Sequence, residues 1–235
     1  MSDSPELVVE IQSLNKIFHG KRNSSTAILS DVHLTVKDRE FLIISGQSGS
    51  GKTTLLNIIA GLETPTSGSI SIKGQALYDL SSDARARFRA TRFGILYQQA
   101  RWIRSLNVVQ NVALPLITVG TSQKIAEIKA YETLEKLQLQ QFAYQDPAEL
   151  SGGEQQRVGI ARAIIHDPWL IIADEPTGNL DTHNSDAVMS LFSLLNIREQ
   201  RTVILVTHNP IYEFYGTHSI EIRDGKINKD VYNVN

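Results

Sequence analysis

The segments Leu7-Val-Val-Glu-Ile11 and Ala27-Ile-Leu-Ser-Asp-Val-His-Leu-Thr-Val36 are rich in β-branched residues and alternate apolar with polar positions. A period of two sends one set of side chains to a core and the other to water, so both segments predict half-buried strands of an opening β layer. Glu40-Phe-Leu-Ile-Ile-Ser45, Ser69-Ile-Ser-Ile72 and Phe93-Gly-Ile-Leu-Tyr97 add further strands. Trp169-Leu-Ile-Ile-Ala173 and Thr202-Val-Ile-Leu-Val206 are unbroken apolar runs, the pattern of parallel strands covered by helices on both faces. Between Tyr97 and Trp169 the period lengthens, and Asn107 to Ile117, Ser122 to Leu137 and Glu154 to Ile165 predict helices. Arg223-Asp-Gly-Lys226 predicts a hairpin turn near the carboxyl end.

Composition narrows the class. With 235 residues, 41% hydrophobic and 20% charged, the chain buries a core as one ordinary globular domain. A net charge of -2 supplies no overall positive field to draw it to nucleic acid or anionic lipid. Met1-Ser-Asp-Ser-Pro-Glu6 lacks a basic leader region, and no apolar stretch approaches a membrane span. The absence of cysteine excludes disulfides, thiolate metal sites and thiol nucleophiles, and fits a reducing compartment.

Candidate chemistry begins after the strand ending at Ser45. Gly46, Gln47, Ser48, Gly49, Ser50, Gly51, Lys52 and Thr53 fill every position of G-x-x-x-x-G-K-[ST], and Thr54 leads into the helix-like Thr54-Leu-Leu-Asn-Ile-Ile-Ala60. Glycines let successive N–H groups turn inward, and the helix that follows adds its positive dipole end, so the loop suits phosphate oxygens. Lys52 is expected to neutralise the β and γ phosphates, and the Thr53 hydroxyl to reach Mg²⁺, a hard cation that takes oxygen ligands. Leu170-Ile-Ile-Ala-Asp174-Glu175 is an apolar strand ending in two acids, which places Asp174 at the carboxyl edge of a parallel sheet, where such folds bind ligands. Asp174 is expected to hold Mg²⁺ directly or through water, and Glu175, one residue on, to orient or deprotonate a water attacking the γ-phosphate. Lys52 and Asp174 lie much further apart than the roughly thirty residues of a βαβ unit, so an insertion separates them.

Within the insertion stands Leu150-Ser-Gly-Gly-Glu-Gln-Gln-Arg157. Ser151 and Glu154 satisfy S-x-x-E, a capping box for the helix to Ile165. Ser151, Gly152 and Gly153 also offer a hydroxyl, exposed amides and a dipole end, the same physics that binds phosphate, and spacing alone does not choose between the two.

Leu150 to Arg157 resembles the signature of ABC-type ATPases, and the family's other motifs follow in order over nearly the whole chain. The resemblance implies an α/β fold: a P-loop NTPase core with a mostly parallel sheet, an antiparallel β subdomain and an inserted α-helical subdomain. It implies one ABC ATPase domain over 1–235, with the core and β subdomain in 1–97 and 167–235 and the helical subdomain in 98–166. Gln98 resembles the Q-loop glutamine that touches Mg²⁺ or water and links the site to a membrane partner. Asn179-Leu-Asp181 looks like the D-loop, His208 like the switch histidine at the γ-phosphate, and Phe18 sits where an aromatic stacks on adenine, though burial in the core explains such a residue too. The cofactors implied are ATP and Mg²⁺. The partners implied are a transmembrane permease and a second copy of the chain, each signature closing over the other's phosphate loop, with no nucleic acid. The location implied is the cytoplasmic face of the inner (plasma) membrane.

Ala173 to Asp181 is similar to the lipoprotein-releasing, macrolide-export and cell-division subgroup. Gln99-Ala-Arg-Trp-Ile-Arg104 lacks that group's Leu-Pro pair, and Gln110-Asn111 replaces its Glu-Asn. Trp102 and Ile103 suit either a groove for a permease helix or the helical core. Arg85, Arg87, Arg89 and Arg92 suit a solvated helix face or a contact with acidic groups. DNA-repair ATPases of this type carry long coiled coils that are missing here, and two-cassette translation factors carry two motif sets. An ATP-driven signalling module acting on a transmembrane protein remains an alternative to a transporter subunit.

Overall fold

The structure, a computed structural model, describes residues 6–20 and 24–233. Met1 to Pro5, on which the leader reading largely rests, lie outside the described residues.

Two sheets form the frame. Strands β1 (Leu7–His19), β2 (Ser25–Lys37), β4 (Ser67–Ile72) and β5 (Gln75–Ala76) make an antiparallel sheet in the order β2-β1-β4-β5. Strands β3 (Phe41–Ser45), β6 (Phe93–Leu96), β7 (Leu170–Asp174), β8 (Thr202–Val206), β9 (His218–Arg223) and β10 (Lys226–Tyr232) make the second, in the order β10-β9-β3-β8-β7-β6. All its pairings are parallel except β10 with β9. The helices are α1 (Lys52–Ile59), α2 (Ser82–Arg92), α3 (Val108–Thr118), α4 (Gln123–Lys136), α5 (Gly152–Ile164) and α6 (Thr182–Ile197). Among the described residues no helix is long and apolar enough to cross a membrane.

The pleat sorts the apolar runs into two cores. Leu42, Ile44, Leu170, Ile172, Ile204 and Val206 face one way, packing with α1 residues Leu55, Ile58 and Ile59 and with the antiparallel sheet. Phe41, Ile43, Ile171, Ala173, Val203 and Leu205 face the other way, against Val188, Met189 and Phe192 of α6. This is why β3, β7 and β8 lack alternation: both faces are dry, and each fully buried aliphatic side chain contributes about 1.5–3 kcal/mol. A third core joins α3, α4 and α5 through Val108, Val112, Ala130, Leu134 and Val158. Helix α4 approaches through Ala126, Ala130 and Leu134 while Ile125 and Ile128 stay exposed. Its small residues, not its isoleucines, mark the packed stripe.

Some caps repair departures seen in the sequence. Asn107 N-caps α3, its side chain accepting from the Gln110 N–H while the Gln110 Oε1 accepts from the Asn107 N–H at 3.2 Å. Gln110 thus closes the reciprocal cap as a glutamate would. Asn111, fully buried, donates to the carbonyls of Ile103 and Leu106 and accepts from the Ile103 N–H at 2.9 Å, pinning the segment after Gln98 onto α3.

At the far edge His218 is buried between two carboxylates, Glu40 at Nδ1 and Asp230 at Nε2 (2.8 Å), and stacks on Tyr232. Burial opposes its charge, but the two carboxylates outweigh burial and hold its pKa above the ordinary value. A raised histidine pKa stabilises the fold below the unfolded value near 6.5, and that stabilisation is lost as pH rises through the folded pKa. Wild type should therefore melt above His218→Gln by the widest margin near pH 6, with the gap narrowing at alkaline pH. Thermal denaturation across that range tests this, and a gap that ignores pH would rule it out.

Candidate functional site

Strand β3 delivers the chain into the Gly46 to Thr53 loop at its carboxyl end. Gly46 has φ 141°, and a Cβ there would lie 2.2 Å from the Ile222 carbonyl of β9, so the turn admits glycine alone. Lys52, at the first position of α1, donates to the loop's own carbonyls, Gly46 at 2.8 Å and Gln47 at 2.7 Å. Burial lowers its pKa, while the carboxylates of Glu175 and Asp174 work in the opposite direction. Its ammonium therefore waits among carbonyls beside two acids.

Asp174 ends β7 and receives the Thr53 hydroxyl at 3.2 Å. Burial raises its pKa, the Thr53 bond and Lys52 oppose the rise, and neighbouring Glu175 adds to it. Glu175 then leaves the strand with φ 45°. Its N–H donates to Val206 and its carbonyl accepts from the Gly178 N–H, so the left-handed residue is held from both sides. Such a conformation costs a non-glycine residue on the order of 1 kcal/mol, and it turns the carboxylate out of the sheet. His208, two residues past β8, places Nδ1 3.3 Å from Glu175 Oε2. The Gln98 amide lies against Gly178, close enough that a Cβ on Gly178 would be 2.9 Å from Nε2 and 3.4 Å from Glu175 Oε2.

Two separate clefts open here, one lined by Lys52, Thr53 and Glu175 and the other by Gln98. One, of about 250 Å³, is lined by Ile28, Ser48, Gly49, Gly51, Lys52, Thr53, Thr54 and Glu175. The other, also about 250 Å³, is lined by Gln98, Gln99, Ala100, Gly152, Gln155, Gln156, Asn179 and Leu180. They share no lining residue.

Ser151 N-caps α5, and both halves of the capping box are made: its Oγ accepts from the Glu154 N–H, and Glu154 Oε2 accepts from the Ser151 N–H at 2.8 Å. The same carboxylate takes the Ser151 hydroxyl at 2.6 Å, and these bonds keep the Glu154 pKa low. The plain capping role is therefore real in the isolated chain. Asp181 caps α6 in the same way, accepting from the Asn184 N–H and amide, which lowers its pKa. Gly153 packs directly on Asn184: a Cβ would sit 2.2 Å from Asn184 Oδ1. The starts of α5 and α6 thus form one block, which Gln156 ties to the Gln98 carbonyl.

The remaining sequence candidates sort as follows. Phe18, 42% exposed at the end of β1, is not a core residue; Lys16 sits over its ring, and its strand partner Thr26 lies two residues from Ile28. Trp102 fills the helical layer, its indole N–H donating to Gln155 Oε1 and Arg162 lying over its ring, while Ile103 remains exposed. Arg85 and Arg89 bond inward to the carbonyls of Leu80 and Gly61, and Arg92 covers Trp169. Arg87 and Arg92 are the exposed members, and Arg87 is the one with neither of these contacts. Ile28 and Asn184 escaped sequence reasoning, while Gln156 and Gly178 lie inside the quoted motifs Leu150 to Arg157 and Ala173 to Asp181 without having been given a role.

An ABC transporter family model matches residues 29–178. The chain is 41% identical over 223 residues to the macrolide export ATP-binding/permease protein MacB of Mannheimia succiniciproducens, covering 95% of this chain but 34% of the relative, about a third of its length. It is 43% identical over 204 residues to the lipoprotein-releasing system ATP-binding protein LolD of Pseudoalteromonas translucida, covering 87% of this chain and 88% of that one. Among solved structures, a dimeric post-hydrolysis state of the ATP-binding cassette MJ0796 bound to ADP and Pi superposes with a TM-score of 0.87 at 35% identity, over 97% of this chain and 99% of that one. The Gly46 to Thr53 loop, the acid-tipped strand β7 and the capped start of α5 thus occur here on the fold of those cassettes, and the chain belongs to the ABC transporter family of ATP-binding cassettes.

Proposed function

We propose that the chain binds and hydrolyses ATP to drive a separate membrane permease, pairing with a second copy so that each phosphate-loop cleft is closed by the other copy's signature cleft. The observation that carries this reading is the separation of the two clefts. One holds the phosphate loop, Lys52 and Glu175, the other holds the start of α5, and no residue belongs to both. A chain with one complete site would need no second anion-suited helix start.

In this reading Gly46 to Thr54 wrap the phosphates, and Lys52 exchanges the Gly46 and Gln47 carbonyls for phosphate oxygens. The oxygen donors are a hydroxyl and a carboxylate joined at the loop, Thr53 and Asp174, and the amide of Gln98, which lies beside Gly178 and the Glu175 carboxylate in the neighbouring cleft. This all-oxygen set fits Mg²⁺, and among the described residues no cluster of His, Cys, Asp and Glu offers a full protein cage. Bound there, Mg²⁺ supplies charge neutralisation across the phosphates. Glu175 accepts a proton from the water that attacks the γ-phosphorus as the bond to the bridging oxygen breaks and ADP leaves. His208 orients Glu175 and the γ-phosphate, Phe18 stacks on adenine, and Ser151, Gly152, Gly153 and Asp181 meet the ATP held by the other copy.

For the permease, the best-fitting surface is a largely apolar cleft of about 370 Å³ between α2, β6, α3 and α5, lined by Ala86, Ala90, Leu114 and Pro115 with Arg89 and His166 at its polar side. It suits one helix of a membrane protein. That contact sets the chain on the cytoplasmic face of the membrane, and the differing names of MacB and LolD leave the cargo to the permease.

Pairing is tested with Ser151→Arg. The arginine adds bulk and charge at the start of α5, none of whose residues lines the first cleft. The variant should bind ATP as a monomer with about wild-type affinity yet form no dimer by light scattering after chromatography in ATP. A normal ATP-dependent dimer would leave Ser151 as a cap and nothing more.

A further inference from the structure

Gly225, in the turn between β9 and β10, packs against the outer wall of the phosphate loop. Its N–H donates to the Ser50 carbonyl at 3.1 Å, and its own carbonyl accepts from the Ser30 N–H of β2 at 2.9 Å. Gly225 has φ 75°, and a Cβ there would lie 2.4 Å from the Ile28 carbonyl. Gly51 meets that same carbonyl from the other side, at 2.8 Å from its would-be Cβ, and Gly46 meets Ile222 just before the turn. The loop, β2 and the hairpin therefore touch backbone to backbone, without side chains between them.

We propose that Gly225 is a positioning residue for nucleotide binding: its N–H holds the Ser50 carbonyl outward, and so keeps the loop amides turned toward the phosphates. A phosphate-binding loop must direct its N–H groups inward, which obliges its carbonyls to find donors outside. The Gly46 and Gln47 carbonyls are served by Lys52, the side chain that ATP recruits, the Gln47 carbonyl also taking the Ser50 N–H at 3.2 Å. The Ser50 carbonyl is served by Gly225, which no ligand recruits. That bond persists when Lys52 turns to phosphate, and it anchors the loop to both sheets at that moment.

The inference rests on the phosphate-loop reading, so the experiment separates the two. Gly225→Ala adds the clashing Cβ. Replacing Gly225 by glycolic acid, through amber suppression with the hydroxy acid, deletes the N–H and adds no bulk. Gly74→Ala is the control, since Gly74 has the same φ of 75° but open space around it. Binding of a fluorescent ATP analogue, KM, kcat and thermal melting are measured for each. The glycolate variant should raise Kd and KM roughly five- to ten-fold, the loss expected for one hydrogen bond, with kcat at saturating ATP within about two-fold of wild type. Gly225→Ala should show at least that rise, and Gly74→Ala should melt lower with Kd and KM unchanged. The proposal is overturned if the glycolate variant keeps wild-type Kd and KM, or if Gly74→Ala raises them equally. Lys52→Ala separates the readings: undiminished ATP binding there defeats the phosphate-loop assignment itself, whereas its loss beside a normal glycolate variant defeats only the role of Gly225.

Discussion

Glu175→Gln should retain ATP binding while turnover falls about 10²–10⁴-fold, the range spanned by a positioned general base. The substitution keeps size and the capacity to accept a hydrogen bond but removes the basic oxygen pair. The backbone that sets the side chain's direction is held by the Val206 carbonyl and the Gly178 N–H, neither of which the change touches. The left-handed φ of 45° is also tolerated by an amide side chain of the same length. Because hydrolysis reopens the proposed pair, the variant should accumulate as an ATP-bound dimer. Phosphate release gives the rate, and chromatography with light scattering gives the mass. Turnover within ten-fold of wild type would remove Glu175 from the proton transfer.

Lys52→Ala should raise the ATP dissociation constant by at least about 100-fold in calorimetry, since it removes a charge-assisted contact to phosphate that several hydrogen bonds share. A second effect comes from the nucleotide-free structure. Lys52 is 5% exposed and bonded to the Gly46 and Gln47 carbonyls, so its loss also removes a donor from the Gly46 carbonyl and leaves the Gln47 carbonyl to the Ser50 N–H. The carboxylates of Glu175 and Asp174 lose the cation beside them as well. Circular dichroism that reports an intact fold alongside lost binding separates the ligand effect from unfolding. Unchanged affinity would mean that phosphate is held elsewhere.

The course of the Gly46 to Thr53 loop was legible because it is made by contiguous backbone, so the turn at Gly46 and the start of α1 at Lys52 are already written in the spacing. The parallel strands were legible for a related reason: burial on both faces leaves unbroken apolar runs such as Thr202 to Val206. Helix α6 passed unnoticed, because Thr182-His-Asn-Ser-Asp opens it with residues of weak helix preference and its apolar side is defined only by the sheet it covers. Strand β1 runs on to His19, past the predicted end at Ile11, through irregular pairing around Ser13, whose φ of 47° breaks the alternation that marks a strand. The cluster of Glu40, His218 and Asp230, the seat of Gly153 on Asn184 and the contact of Gly225 with Ser50 join distant positions. No period or spacing in the chain encodes them.

The proposed pair also carries a symmetry. When each copy gives its phosphate-loop cleft and takes the other's signature cleft in the same contact, the two are related by a two-fold axis, and that arrangement stops at two members where a one-way plug and socket would grow into a ring or filament. Two nucleotides are then enclosed in one event, so the fraction of paired chains should climb as roughly the square of ATP occupancy. A mixed pair with one damaged phosphate loop would retain a single sealed nucleotide, and its lifetime would measure how much each seal contributes.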